Sequence, residues 1–229
     1  MILCIETATP LCSVALCDSN GVIAVKESDE GRSHAASLTP GIVELLKETG
    51  IRVADLEAVA VSKGPGSYTG LRIGVSTAKG MAFAASIPMI GINTTYSMFH
   101  GFISSGKDLR ETDLFCPLID ARRMEVYNSV FSMNGTLIKD TRAEIITAES
   151  FSGIPDSSRI FFFGDGSAKC MNIIRRGNII FDTDFRISAA SMQKPAYELF
   201  RKRRFENTAY FEPFYLKDFL ATKPVKNIL

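Results

Sequence analysis

Short apolar runs alternate with apolar residues at helical spacing along the first hundred residues, which is typical of an α/β fold. The runs predict strands at residues 2–5, 12–17, 22–25, 58–61 and 89–92. The helical spacing predicts helices over residues 33–49 and 71–85 and a third from Thr94 or Thr95. Gly50 fits the left-handed position that ends the first helix, whereas Pro40 predicts a kink or a later start in it.

The second half of the chain begins with the same pattern, which predicts an internal repeat of topology. Strands are predicted at residues 114–119, 126–131, 137–138 and 160–163. Asn20-Gly21 and Asn134-Gly135 fit tight turns at corresponding places, so each half contains strand, strand, Asn-Gly turn, strand. One helix is predicted to begin after Gly166 and run to Arg176, and another to run from Ser188 to Arg203.

A polar segment around residues 100–113 predicts a boundary between two lobes, residues 1–103 and residues 104–229. The first lobe is expected to bind a partner. The closing helix and the tail, residues 207–229, are expected to pack back on the first lobe because the tail carries several aromatic residues.

Composition narrows the function classes. Lys and Arg number 26 and Asp and Glu 25, so the net charge of +1 disfavours a nucleic-acid binder driven by bulk charge. The five cysteines lack zinc-site spacing and lie mostly in apolar runs, which predicts free thiols in a reducing compartment. The first residues do not resemble a signal peptide, and no apolar stretch is long enough to span a membrane, so we expect a cytoplasmic protein without a membrane partner.

A glycine-rich stretch, residues 64–74, directly follows a predicted buried strand and leads into a helix. It lacks the Gly-Lys-Ser/Thr of a Walker A loop, and Thr69 stands where the dinucleotide fingerprint requires its third glycine. Pro65 likewise breaks the nucleophile-elbow pattern. Physical reasoning alone leaves two interpretations open, a phosphate cradle at a helix N-terminus and a structural turn.

Three segments carry a family resemblance: MILCIETATPLCSVAL at the start, GPGSYTGLRIG at 64–74 and IDARRMEVY at 119–127. Together they resemble the TsaB (YeaZ) family, bacterial proteins required for threonylcarbamoyladenosine synthesis at position 37 of transfer RNA. Looser similarity continues through Pro195-Ala196-Tyr197 and the segment 213–217. The resemblance implies a two-lobe fold of the actin, Hsp70 and sugar-kinase type, with duplicated mixed sheets flanked by helices.

The resemblance also implies a role without catalysis. The catalytic relative TsaD carries a His-x-x-x-His metal pair, but here His34 is followed four positions later by Leu38, so no metal site and no catalytic residue are expected. We therefore expect a scaffold subunit that supports TsaD, reaches TsaE through that complex and meets transfer RNA only indirectly. Two alternatives remain: an active ATPase or peptidase of the same fold, and a stand-alone nucleotide sensor.

Nucleotide binding is weakly indicated. Kinases of this fold cradle phosphate on a glycine-bearing hairpin, but residues 7–11 hold no glycine and Pro10 removes a donor. No cofactor is expected, with ATP or ADP as the weak alternative. The candidate nucleotide-binding residues are Glu6, Thr7, Gly164, Asp165 and Gly166.

A further set of residues is assigned structural roles. Asp120 is expected to accept from backbone N–H groups of the following turn, and Arg122 to form a forked pair with a carboxylate across the cleft. Arg201 to Arg204 are consistent with contacts to RNA phosphates, but the interpretation as a solvated helix end is favoured. The structural motif comprises Gly64, Pro65, Gly66, Thr69, Gly70, Arg72, Asp120 and Arg122.

Small residues recur every four positions in the helix that follows Gly70, and they predict the partner surface. The stripe comprises Gly70, Gly74, Ala78, Ala82 and Ser86. The preceding helix adds the apolar residues Leu38, Ile42, Leu45 and Leu46. The hypothesis is a four-helix bundle with TsaD, or a symmetric homodimer when the chain is alone. The alternative is that the stripe packs on the protein's own sheet.

Overall fold

The computed structural model describes residues 1–28 and 33–217, within which the strands form two five-stranded mixed sheets. The first sheet contains β1 (Ile2–Glu6), β2 (Cys12–Cys17), β3 (Val22–Ser28), β4 (Ala58–Gly64) and β5 (Met89–Asn93). The second contains β6 (Leu114–Asp120), β7 (Glu125–Ser132), β8 (Leu137–Ile145), β9 (Ile160–Phe163) and β10 (Ile179–Asp182). The helices are α1 (His34–Thr49), α2 (Tyr68–Ala85), α3 (Thr94–Ile103), α4 (Ser167–Met171) and α5 (Gln193–Arg201).

The two sheets have the same topology. The first has the order β3-β2-β1-β4-β5 and the second, read from the other edge, β8-β7-β6-β9-β10. In each, a strand pairs antiparallel with the hairpin strand that follows it and parallel with the strand after the hairpin. The predicted internal repeat and the predicted two-lobe α/β architecture are confirmed.

The first sheet is buried on both faces because its central strands are apolar throughout. Leu3 and Ile5 of β1 face a core shared with α1 and α2. Ile2 and Cys4 face the opposite side, where α5 and a short 3₁₀ segment (Ala189–Met192) pack. The closing helix therefore covers the first sheet.

Aromatic stacking forms one core of the second sheet. Phe99 and Phe102 of α3 contact Phe115, and Phe102 also stacks on Phe163 with ring centroids 4.1 Å apart. Thus α3, which precedes residue 104, packs on the second sheet while α5 packs on the first. The division into residues 1–103 and 104–229 separates the strands of the two sheets but not their helices, and it stays a prediction.

Several predicted elements differ in extent. Helix α1 continues through Pro40 from His34 and ends at Gly50, whose φ of 68° is left-handed as predicted. Helix α4 ends at Met171 rather than Arg176, and the half-exposed β10 was not predicted because four residues carry too little pattern. The helix predicted over 188–203 is a 3₁₀ segment followed by α5.

The tail extends the packing on the first lobe. Glu206 bridges to Met89 at the start of β5, and the Phe214 N–H donates to the Lys63 carbonyl at 2.6 Å. Part of the predicted tail, residues 218–229, lies outside the described residues. Among the helices described, none combines the length and the apolar character that crossing a bilayer requires.

Candidate functional site

The backbone of the loop after β1 lies directly against the glycine-rich stretch, residues 64–74. The Ser67 N–H donates to the Ala8 carbonyl at 2.7 Å, and a Cβ added at Gly66 would overlap that same carbonyl. A Cβ at Gly70 would overlap the carbonyl of Thr7. Glycine is needed at both positions because the loop after β1 lies directly against the start of α2. The stretch is a structural turn that fits the Thr7–Ala8 loop, and the phosphate-cradle interpretation is wrong.

The stripe of small residues on α2 packs inside the lobe. Gly70, Gly74, Ala78 and Ala82 are all buried, and the last two belong to the core between α2 and β1. A Cβ at Gly74 would overlap the Thr7 side chain. The prediction that these four residues face a partner is therefore wrong, and the alternative, packing on the protein's own sheet, is correct. Small residues are required here because the helix lies close to the loop after β1.

The apolar residues predicted for the same interface are also internal. Leu38, Ile42, Leu45 and Leu46 of α1 are buried in the first core, so they present no surface to a partner. Four apolar residues at helical spacing are what one face of a helix needs to cover a sheet.

The outer face of α1 and α2 exposes different residues. Val43 is 59% exposed and Phe83 is 82% exposed. Ser76, Gly80 and Ala84 recur every four residues on α2, and all three are exposed. An exposed phenylalanine beside a row of small residues is a surface that another helix can approach closely.

A cavity of about 310 Å³ lies where the two halves of the chain meet. Its walls include Thr9, Leu11, Met98, Gly164, Asp165 and Arg186. Gly164 has a φ of 105° and, like Gly166, lies against the backbone of β6. Two predicted nucleotide-binding residues, Gly164 and Asp165, therefore line the cavity, with Gly166 directly behind them.

The other two candidates lie away from the cavity walls. The Glu6 carboxyl is fully buried, and its Oε1 accepts from the Ala8 N–H at 2.6 Å and the Ser62 hydroxyl at 2.8 Å. Its Oε2 is buried without a partner among the described residues. Burial raises the pKa of Glu6 to about 7 despite these donors. Thr7 is buried against α2, so neither Glu6 nor Thr7 lines the cavity that Gly164 and Asp165 reach.

Asp120 performs its predicted role, whereas Arg122 does not. Asp120 Oδ1 accepts from the Arg122 N–H and from Lys169 Nζ, each at 2.6 Å. The Asp120 N–H in turn donates to Asp165 Oδ1 at 3.0 Å, which joins this turn to the cavity wall. Arg122 itself is exposed and pairs with no carboxylate among the described residues, so the predicted fork across the cleft is wrong.

The residues considered for metal or thiol chemistry either contact the backbone or are buried in the core. His34 Nε2 lies 2.9 Å from the Thr9 carbonyl, so it ties α1 to the loop after β1. Across the described ranges, no cluster of three His, Cys, Asp or Glu side chains is arranged to hold a metal. All five cysteines are buried, and burial raises the pKa of Cys12 and of Cys170 to about 11.

Sequence reasoning missed most of the cavity wall and the exposed helix face. Residues such as Met98 and Arg186 reach the cavity from elements distant in sequence, which no local pattern reveals. Phe83 did carry a signal, because a phenylalanine off the apolar stripe of a helix is a candidate surface residue.

Comparisons with known proteins place this geometry among its relatives. The family model described as TsaD, tRNA N6-adenosine threonylcarbamoyltransferase, matches residues 25–218. The tRNA threonylcarbamoyladenosine biosynthesis protein TsaB of Escherichia coli (strain K12) is 40% identical over 126 residues, covering 55% of this chain and 52% of that protein. TsaB of Bacillus subtilis (strain 168) is 31% identical over 138 residues, covering 60% and 58%. The chain thus spans about half the length of these curated relatives.

Solved structures extend the similarity to the whole fold. YeaZ from Pseudomonas aeruginosa superposes with a TM-score of 0.79 at 24% identity, covering 94% of this chain and 99% of that one. A second Pseudomonas aeruginosa structure, of an uncharacterized protein with similarity to peptidase YEAZ, gives a TM-score of 0.80 at 23% identity with the same coverage. These two likenesses show the fold.

Proposed function

Because this chain belongs to the TsaB/YeaZ family, within the larger family whose model describes TsaD, we propose that it is a non-catalytic subunit for threonylcarbamoyladenosine formation on transfer RNA. In this proposal TsaD performs the transfer, this chain binds and activates TsaD, and TsaE acts through their complex. The names of the curated relatives support the pathway.

One observation carries the scaffold role: the chain's own backbone packs against the start of α2, where a helix N-terminus could otherwise bind phosphate. The carbonyls of Thr7 and Ala8 lie against the start of α2, and the turn holds no glycine that could open it. The carboxyl that ends β1, Glu6, is buried and bound to Ser62 and Ala8, so it has no free path to a cation. This favours a scaffold over the alternative of an ATPase.

The outer face of α1 and α2 is the proposed docking surface for TsaD. Phe83 supplies an exposed apolar anchor, and Ser76, Gly80 and Ala84 allow a helix of the partner to approach. A surface that fits a related helix pair also fits its own copy, so we expect a symmetric homodimer in the absence of TsaD. The residues differ from the stripe predicted from the sequence, but the two helices are the same.

The test is reconstitution from purified TsaD, TsaE, the enzyme that supplies threonylcarbamoyl-adenylate, and unmodified transfer RNA. We expect modified nucleoside only when this chain is added, and no ATP hydrolysis or modification by the chain alone. Full modification without the chain would overturn the proposal, and ATP hydrolysis that is lost in Glu6→Gln would favour the ATPase.

Two variants test the docking surface in the same assay. Phe83→Asp is expected to weaken TsaD binding by at least about tenfold, because a hot-spot aromatic at the centre of an interface contributes that much. Ile138→Asp is the matched control, since Ile138 is 58% exposed on the second sheet, away from both helices. If both variants lost the same amount of affinity for TsaD, the interface would lie elsewhere.

A further inference from the structure

The hairpin between β6 and β7 has an unusual tip. Arg122 and Arg123 are consecutive non-glycine residues with φ of 67° and 49°, in the left-handed region that favours Asn and Gly. The corresponding place in the next hairpin holds Gly135, with a φ of 82°. Two arginines at such positions cost stability, and strained non-glycine residues concentrate at functional sites.

The tip is held rigidly while its two charges stay in solvent. Lys169 pairs with Asp120 and also donates to the carbonyls of Arg123 and Glu125. Both arginine side chains are exposed, and neither joins an ion pair with any residue in the described ranges. The turn therefore presents two exposed guanidinium groups that pair with no acid among the described residues.

A line of alternating cations and tyrosines leads away from this tip. The charge of Arg122 acts on the Tyr127 hydroxyl, and Lys217 of the tail lies over the Tyr127 ring, 6.0 Å from its centroid. Two residues before Lys217, the Tyr215 ring contacts Tyr68 at the start of α2, with centroids 4.7 Å apart.

Arg72, one turn further along α2, lies over the Tyr68 ring at 5.0 Å. Because Tyr215 and Lys217 are two residues apart in the tail, the tail connects the contacts of the second lobe to those of the first. We call it the tyrosine–cation track. Its members are Arg72, Arg122, Arg123, Lys217, Tyr68, Tyr127 and Tyr215.

The acidic groups on the track leave it basic. Glu125 is paired with Lys217, and Asp120 is paired with Lys169. Arg72, like Arg122 and Arg123, is exposed and joins no ion pair with any residue that the structure describes. The net charge of the whole chain is only +1, so any attraction for a polyanion depends on local basic surfaces such as this one.

We propose that the tyrosine–cation track is a direct RNA contact that takes an unpaired stretch of RNA. The exposed guanidinium groups bind phosphates, and the exposed Tyr215 ring, which contacts Tyr68 on one side, stacks on a base, which is how single-stranded nucleic acid is held without sequence readout. An acidic protein surface would match the charges, but it offers no bases that could stack on the tyrosine rings between them. That the RNA is transfer RNA rests on the proposed function.

The track meets α2 at its first turns, whereas Phe83, the anchor of the proposed TsaD surface, lies roughly 22 Å further along the axis than Tyr68. Arg72 of the track lies one turn before Ser76 of the TsaD surface on the same face, so the two surfaces adjoin. Direct RNA binding by the track goes beyond the indirect contact with transfer RNA that the sequence resemblance implies.

The decisive variant replaces both arginines with the residues that the turn prefers. Arg122→Asn with Arg123→Gly is expected to raise the melting temperature by about 2–4 °C, because it removes the left-handed strain. The same variant is expected to weaken binding of a fluorescently labelled tRNA transcript by about tenfold, measured by anisotropy with and without TsaD. The slope of log Kd against log salt concentration should fall by about 0.7 for each phosphate that the variant no longer binds.

A second variant tests the rings, and a third controls for charge. Tyr215→Ala is expected to weaken tRNA binding by about tenfold while leaving the salt dependence unchanged, because it removes stacking and no charge. Arg201→Ser with Arg204→Ser removes two exposed arginines from the end of α5 and is expected to change affinity less than twofold.

Three results would overturn the track: no tRNA binding with or without TsaD, equal weakening in the Arg201/Arg204 control, or displacement by an acidic peptide but not by oligoadenylate. Reconstitution separates this from the proposed function. A chain that supports modification yet binds no tRNA through these residues refutes the track alone. A chain that binds tRNA through them but never supports modification refutes the proposed subunit role alone.

Discussion

Gly74 offers a direct test of how α2 packs. A Cβ at this position would overlap the Thr7 Oγ1, which is itself buried without a hydrogen-bond partner among the described residues. Because the overlap is with a buried side chain, overpacking costs about 2–3 kcal/mol here, and the better helix propensity of alanine offsets about 1 kcal/mol of it. We expect Gly74→Ala to lower the free energy of unfolding by about 1–2 kcal/mol.

Gly80 provides a matched control in the same helix. It is exposed, and an added Cβ meets no atom within 4 Å, so Gly80→Ala should raise the free energy of unfolding by about 0.5–1 kcal/mol. The same chemical change thus has opposite signs at two positions six residues apart. Thr7→Ala combined with Gly74→Ala removes the overlapping hydroxyl and should recover at least half of the loss.

Urea unfolding followed by far-ultraviolet circular dichroism measures all four proteins. A difference of about 2–3 kcal/mol between the two glycine variants corresponds to roughly 5–10 °C in Tm for a chain of this size. If Gly74→Ala were as benign as Gly80→Ala, α2 would not lie on the loop after β1. The conclusion that the small-residue stripe is internal would then be refuted.

Three further predictions concern ionised groups. The pKa of Glu6 is about 7 in the folded protein against 4.5 when unfolded, so the contribution of this carboxyl to stability falls as pH rises between these values. Glu6→Gln should therefore raise the free energy of unfolding by about 3 kcal/mol at pH 8 and change it little at pH 4. Parallel profiles of stability against pH for the two proteins would contradict this. Arg159→Ala leaves the buried Asp113 without its two bonds of 2.8 and 2.6 Å and should cost about 3–5 kcal/mol in urea unfolding, whereas a loss below 1 kcal/mol would refute it. Asp120→Ala should cost about 1 kcal/mol, because its carboxylate is 47% exposed, and a loss above 3 kcal/mol would show a larger role.

Local patterns predicted the fold because both sheets are built from apolar runs. The strands around Ile5 and Val61 are buried on both faces, and Gly135 in the turn after β7 has the left-handed φ of 82° that favours glycine. The same logic failed for β10, which is too short and too exposed to show a pattern.

The candidate surfaces were harder to predict because spacing shows which residues share a face but not which way the face points. Gly74 and Ala78 share a stripe, and only the position of Thr7 shows that the stripe is internal. Tyr215 and Tyr68 are far apart in sequence, so their contact became visible only when the tail was placed.

The central claim is that the chain acts as a stoichiometric subunit, and a titration tests it most directly. TsaD is held at a fixed concentration well above the Kd of the complex, and the initial rate of threonylcarbamoyladenosine formation is measured as this chain is added. We expect a linear rise with a sharp break at equimolar chain and TsaD, and with Phe83→Asp a shallower rise without that break. Saturation at a small fraction of the TsaD concentration, or a full rate with no chain added, would contradict it.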